Sequence, residues 1–329
     1  MTALRTLWPL GLVAGFLAGL PFWSPQRNVA FLTGAYRYPP VADSLPNSTI
    51  ETAFVSWVDP TAPAQIDHLL DRAKRRRSLA MLSLEPFADP ARPNGHRTLV
   101  DDVINGAYQQ RLTVVLKALC RPDQPVLLRF GHEMDNTNQY PWSVRRGSDY
   151  VRLYRAVWAQ AQQPRCRRIH WVWSPAGNGD SSVFWPGGDV VDLIGVSVYS
   201  SPRWSRNGEL HSFAQVYERR RWLHLQFRKP LLVAEMGVTG TDQQRRRWLI
   251  EAREAIRWYP ELIGWVYFSA PQPTWIPLVT GHEDWSLSSE LLDLVTHPQP
   301  SYSFHCQLLH VSLPVLHQKI CHPRQPGSA

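Results

Sequence analysis

Glu133 and Glu235 are the side chains in this sequence best placed to do chemistry. Each ends a short apolar run: Val126-Leu127-Leu128, opened by Pro125, leads into the polar and aromatic stretch Arg129 to Trp142, and Leu231-Leu232-Val233-Ala234 leads into Glu235. Runs of this length and composition read as buried strands. A carboxylate where a buried strand breaks off, followed by aromatics, suits a sugar site. Ring faces stack on a pyranose while the acid works at its anomeric centre. Two carboxylates facing one bond are what glycoside hydrolysis requires, one to protonate the leaving oxygen and one to attack or to activate water. The plainer readings are that Glu133 only salt-bridges Arg129 beneath a loop, and that Glu235 is a buried acid paired with an arginine. Glu85 is a third strand-end acid, suited to binding a substrate hydroxyl or supporting a loop. His132 has no second histidine at i+4, so the zinc-protease spacing is absent, and no metal or organic cofactor is expected. There is no Gly-x-Ser-x-Gly elbow for a serine hydrolase.

The elements that must position these residues alternate along the chain. Strands are expected over 29–36, 53–58, 79–84, 125–130, 169–173, 193–199, 231–235 and 263–268. Helices are expected over 64–77, 102–119, 148–162, 213–227, 242–258 and 288–295. The clearest helix carries Tyr150, Leu153, Tyr154, Val157 and Trp158 at i, i+3, i+4, i+7 and i+8, an apolar stripe with arginines opposite. Eight apolar strands alternating with amphipathic helices argue a parallel sheet covered on both faces, and eight is the number that closes a (β/α)8 TIM barrel. No Gly-rich phosphate loop follows the first strand, as an open doubly wound sheet would require. In a barrel the active site lies at the C-terminal strand ends, which read Tyr36, Trp57, Glu85, His132-Glu133, Trp173, Tyr199, Glu235 and Phe268. The expected organisation is a barrel over 27–296 and a tail over 297–329 packed on it.

The chain has 329 residues, of which 44% are hydrophobic and 19% charged, an ordinary globular composition. The stretch Leu7 to Trp23 holds no charged residue and follows Arg5, so residues 1–24 read as a signal peptide or an uncleaved signal anchor. The body is therefore expected to be secreted, periplasmic or held at the cell envelope, with a membrane tether through that segment as one alternative. Four cysteines agree with an oxidising compartment. Cys120 and Cys166 each precede a strand and could sit side by side, and Cys306 with Cys321 would pin the tail. The net charge is +8, but the arginines fall in short runs, including 219–221 and 245–247, which read as solvated helix faces. No basic stretch with interleaved aromatics points to nucleic acid. A monomer is expected.

Tryptophan is abundant, with 15 residues. Trp142, Trp173, Trp265, Trp275 and Trp285 lie at or beyond strand ends and are candidate sugar-stacking residues. Tyr36, Arg129, Asn136 and Tyr140 join Glu85 as polar and aromatic substrate-binding candidates. Trp158, Trp222, Trp248 and Trp258 fall on helices and read as packing.

The segments Arg129-Phe130-Gly131-His132-Glu133-Met134, Tyr140-Pro141-Trp142 and Ala234-Glu235-Met236-Gly237, with Gly34-Ala35-Tyr36, Asp192, Tyr199 and Asp284-Trp285, resemble glycoside hydrolase family 26 over most of residues 29–295. That family holds β-mannanases and some mixed-linkage β-glucanases in the large barrel clan with acids on strands four and seven. The resemblance implies Glu133 as acid/base, Glu235 as nucleophile, Tyr199 as the residue orienting the nucleophile, and His132 as a supporting neighbour. It implies an endo-acting, retaining hydrolase of a β-linked polysaccharide, of β-mannan or β-glucan type. The chain departs from the pattern in three places. Asp135-Asn136-Thr137-Asn138-Gln139 is one residue longer than the usual segment and lacks its Trp, Leu84 precedes Glu85 where a Trp is usual, and Ser197 stands where an acid is expected. Two other readings use the same fold: a carbohydrate-binding barrel serving polysaccharide synthesis or export, and a transglycosylase.

Overall fold

Eight short strands, most of them apolar runs, close on themselves. The structure is a computed structural model describing residues 28–29, 31–38, 47–91, 98–121, 124–162, 166–273, 282–297 and 302–303. The barrel strands are β1 (Leu32–Arg37), β2 (Ile50–Ser56), β3 (Leu79–Glu85), β4 (Val126–Phe130), β5 (Ile169–Trp173), β6 (Leu193–Ser200), β7 (Leu231–Val238) and β8 (Leu262–Ser269). All neighbours pair in parallel, and β8 closes on β1 from Leu32↔Gly264 to Arg37↔Ser269. The protein is a (β/α)8 barrel. Strands buried on both faces need no alternation, which is why β3, β4 and β5 read as continuous buried runs. Where β8 meets β1 the backbones approach so closely that a Cβ on Gly264 would stand 2.4 Å from the Leu32 carbonyl oxygen.

Helices cover the outside: α1 (Ala62–Arg76), α2 (Leu99–Ile104), α3 (Gln109–Leu119), α4 (Gly147–Gln160), α5 (Phe213–Phe227), α6 (Asp242–Ala255) and α7 (Ser289–Thr296). The material expected as one helix over 102–119 is two, broken at Gly106, which adopts φ 80°. α5 and α6 begin with capping boxes, Ser212 with Gln215 and Thr241 with Gln244, and at α6 the chain turns sharply from strand end to helix start. Between β5 and β6 only a 3-10 turn, Ser181–Phe184, takes the helix's place. Asn28–Val29 and Tyr302–Ser303 pair antiparallel as a small separate ribbon.

Cys120 and Cys166 form the expected disulfide, tying the end of α3 to the segment entering β5. Residues 1–24, Trp275, Cys306 and Cys321 lie outside the described residues. Of the helix tryptophans, Trp248 is buried and Trp158 and Trp222 pack against the core. Trp258 does not. It is 69% exposed, with the Arg257 guanidinium 5.6 Å from its ring centre.

Candidate active site

The C-terminal strand ends open into one cavity of about 810 Å³. Glu235 enters it from β7, just past an irregularity in the ladder. Between Val196↔Val233 and Ser197↔Glu235 the β6–β7 register slips by one residue, leaving Ala234 unpaired. Such a bulge re-aims the side chains that follow it. Glu235 then accepts from two groups: the Arg129 guanidinium on β4, through Nη1 to Oε1, and the Tyr199 hydroxyl on β6, at 2.7 Å to Oε2. Arg129 is fully buried and also donates to Ser174 Oγ at 2.8 Å and Ser83 Oγ at 3.3 Å. One cation at the head of the barrel is thus fixed by three neighbouring strands and aimed at the fourth. Gly237 lets this side assemble, because a Cβ there would lie 2.7 Å from the Tyr199 ring and 2.9 Å from Trp285.

Glu133 is held differently. It sits beyond the end of β4, on a backbone that is left-handed at Gly131 (φ 54°) and again at Glu133 itself (φ 51°). Positive φ is unfavourable for a residue with a Cβ and persists only where the surroundings impose it. Here Glu133 N donates to Ser174 O at 2.7 Å, and the Trp142 indole donates to His132 O at 2.7 Å. The carboxyl takes Ser197 Oγ on Oε1, with Asn136 Nδ2 at 3.1 Å and Gln139 Nε2 at 3.4 Å on Oε2. All three donors are neutral. Burial, aided by the nearby charge of Glu235, pushes this carboxyl up to about 7, and the Ser197 hydrogen bond only moderates the rise. The one-residue-longer segment therefore has a use: it supplies Asn136 and Gln139 to the acid. Its Asp135 accepts Ala176 N at 2.7 Å, Gly177 N at 2.9 Å and Ser181 Oγ at 2.7 Å, bracing the loop beyond β5.

Glu85, also on the cavity wall, is pushed up to about 8 by burial and then by Glu235, and no side chain among the described residues donates to it. His132 is buried, with Nε2 4.0 Å from Glu235. Burial and the Arg129 charge hold its pKa well below the usual range, so the ring is neutral.

Of the sequence candidates, Tyr36, Glu85, His132, Glu133, Asn136, Tyr140, Tyr199, Glu235 and Trp285 line the cavity. Four expected substrate-binding residues do not. Arg129 lies beneath Glu235, fully buried. Trp142 is fully buried, stacked on Tyr140 with ring centres 4.6 Å apart. Trp173 packs outward against Trp185 and Phe227, and the Trp265 indole donates to Val295 O on α7. Successive strand residues alternate faces, so an aromatic one position off the lumen register points at the helices. The arginine run 219–221 is also corrected. Arg220 is buried and lines the cavity, donating to Ala176 O, Ser197 O, Val216 O and Asn178 Oδ1. Phe54, Gln139, Ser197, Trp204 and Arg220 line the cavity without having been sequence candidates.

The Glycosyl hydrolase family 26 model matches residues 93–235, a span that holds Arg129, Glu133, Tyr199 and Glu235. Over that span the chain is similar to that family, at low identity. It is 30% identical over 129 residues to beta-1,3-xylanase TXYA of a Vibrio species, covering 36% of this chain and 27% of that protein. To endoglucanase H of Acetivibrio thermocellus it is 25% identical over 247 residues, covering 71% and 24%. The chain thus spans about a quarter of the length of these relatives. Among solved structures, the family 26 β-mannanase of Bacteroides ovatus superposes with a TM-score of 0.55 at 15% identity, over 82% of this chain and 85% of that one. Such a likeness speaks for the shared barrel.

Proposed function

We propose that this barrel is a retaining, endo-acting glycoside hydrolase of a β-linked polysaccharide. The observation that carries the reading is the pair of unlike carboxyl groups in one cavity. Glu133 has a proton affinity raised to about 7, and Glu235 is engaged by a guanidinium and a phenol. Environments that separate two carboxyls in this way assign acid and base roles. Glu133 protonates the leaving oxygen while the Glu235 carboxylate attacks the anomeric carbon, and the glycosyl–oxygen bond breaks as the glycosyl–enzyme ester forms. Glu133, now ionised, takes a proton from water, which opens the ester and regenerates both groups. Ser197 stands opposite Glu235 in the sheet and bonds Glu133, and the charge of Glu235 reaches Glu133. That closeness favours direct attack over an intervening water, hence retention. Tyr199 and Arg129 orient the nucleophile, and neutral His132 fills the space beside it. Relatives named as xylanase, endoglucanase and mannan endo-1,4-β-mannosidase support a β-linked pyranose backbone as substrate. The Cys120–Cys166 disulfide supports an oxidising compartment outside the cytosol.

The test is release of reducing ends from β-1,4-mannan, β-1,3-xylan and mixed-linkage β-glucan, with wild type beside Glu235→Ala and Glu133→Ala. The anomer formed first is read by NMR. Cleavage with retention by wild type, lost in Glu235→Ala, is expected. Cleavage that survives Glu235→Ala, or no cleavage of any glycan by a protein that binds one, would sink the reading.

A further inference from the structure

Among the described residues three large aromatics are exposed, Tyr38, Trp204 and Trp258; Tyr38 and Trp204 stand at the cavity wall, and Trp204 is the one joined to the catalytic side by further rings. Trp204 is 44% exposed and lies on a 3-10 turn, Pro202–Trp204, just beyond β6. Its ring centre is 5.7 Å from that of Trp285, inclined at 60°, and Trp285 lies 4.7 Å from the ring of Tyr199, whose hydroxyl bonds Glu235. A continuous aromatic path therefore runs from the carboxylate at the cavity floor to an indole open to solvent at its rim. Trp285 is buried, so it separates Tyr199 from Trp204 and sets the exposed ring outward from the reacting centre.

The turn bearing Trp204 is also fixed. Ser201 Oγ, buried, caps it by accepting from Arg203 N at 3.2 Å and donates to buried Glu283 at 2.9 Å. Arg203 donates to His282 O at 3.3 Å. Two bonds, Ser201 to Glu283 and Arg203 to His282, tie the turn to the segment that carries Trp285. An exposed indole on a mobile loop would lose entropy on binding; one bolted to the neighbouring aromatic is ready to receive a flat apolar face. The hydrophobic face of a pyranose is such a surface.

We propose that Trp204 is a sugar-binding platform. It stacks on a pyranose unit of the bound chain lying outward from the unit at Glu235, and so makes the site read polysaccharide length. The inference rests on the reading of the cavity as a polysaccharide cleft, but it concerns binding and can be tested apart from turnover.

The experiment titrates full-length protein with β-1,4-linked manno- and gluco-oligosaccharides and β-1,3-linked xylo-oligosaccharides of two to six units, reading binding by calorimetry. It is run in Glu235→Gln so that hydrolysis does not consume the probes, and in that background with Trp204→Ala and Trp204→Phe. Trp204→Ala is expected to weaken the longer probes about tenfold, with a loss that grows with chain length, while Trp204→Phe recovers most of the affinity. Equal affinity in Trp204→Ala and its parent at every length would overturn the platform. Failure of the parent to bind any probe would overturn both platform and polysaccharide cleft. If length-dependent loss occurs but wild type cleaves none of the glycans, the platform stands and the hydrolase reading alone falls.

Discussion

The two carboxyl seats are built from opposite materials. Glu235 belongs to a strand, just past its bulge, and its oxygens meet a buried cation and a phenol. Glu133 stands past a strand end on a left-handed backbone, and only neutral hydroxyl and amide groups reach it. The proposed double displacement, which needs a nucleophile and a proton donor, is served by this asymmetry. An arginine and a tyrosine engage the first carboxyl, and burial, aided by the charge of Glu235, lifts the second. Geometry follows the same division: Glu235 takes its place from the sheet, whereas Glu133 is aimed by a loop that must itself be braced.

Removing each carboxyl breaks the comparison most directly. Glu235→Ala should lower kcat by roughly 10⁴-fold or more on every substrate, since no covalent intermediate forms. Glu133→Ala should cost about 10²–10⁴-fold on polysaccharide and far less on an aryl glycoside whose phenolate leaves unaided. Steady-state kinetics on both substrate types will show the split; equal losses would mean the seats are not specialised. Next in size is Arg129→Met, which leaves the Glu235 carboxylate buried without its cation and should destabilise the fold by about 3–5 kcal/mol in urea denaturation. Arg129→Met with Glu235→Leu should be less destabilised than Arg129→Met alone.

The smaller effects concern protons. Activity should fall as pH rises through about 7, where Glu133 loses the proton it must donate. Ser197 donates to the carboxylate and favours its charged form. Ser197→Ala should therefore move the alkaline limb upward, by about half to one pH unit, with the acid limb unchanged. For stability the sign is also fixed. Burial and the charge of Glu235 raise Glu85 and Glu133 above the ordinary 4.5, to about 8 and about 7. At these two carboxyls the folded chain holds more protons than the unfolded chain between about 4.5 and 8, which lowers stability as pH rises, whereas buried His132 and His170 act in the opposite sense below their usual 6.5. Tm measured from about pH 6.5 to 8 should decline, and Glu85→Gln should flatten part of the decline.

Strand and helix identity were legible because β3, β4, β5 and β7 are buried on both faces and α1 and α4 carry clean stripes. The two carboxylates were legible because each marks an abrupt end to an apolar run. What the sequence hid was direction. Trp173 and Ser174 are neighbours at one strand end, yet Ser174 bonds Arg129 in the lumen and Trp173 packs outward. One residue of register decides the matter, and the run itself does not contain it. Arg129 was read as a partner for Glu133 or for substrate, but from a strand interior it reaches across to Glu235. Arg220 had a usable signal: it falls on the same stripe of α5 as Phe213, Val216, Tyr217 and Leu223, which marks a buried face. Trp204 had none, because its place depends on a turn folded against a segment far along the chain.

The left-handed backbone at Glu133 sets its carboxyl against the fold. A side-chain-bearing residue at φ 51° is unfavourable by about 1–2 kcal/mol against glycine, and its buried carboxyl adds to the burden. Glycine at position 133 would relieve the backbone and keep the barrel while losing the carboxyl. Glu133 thus places its carboxyl in the cavity at the expense of how firmly the chain folds.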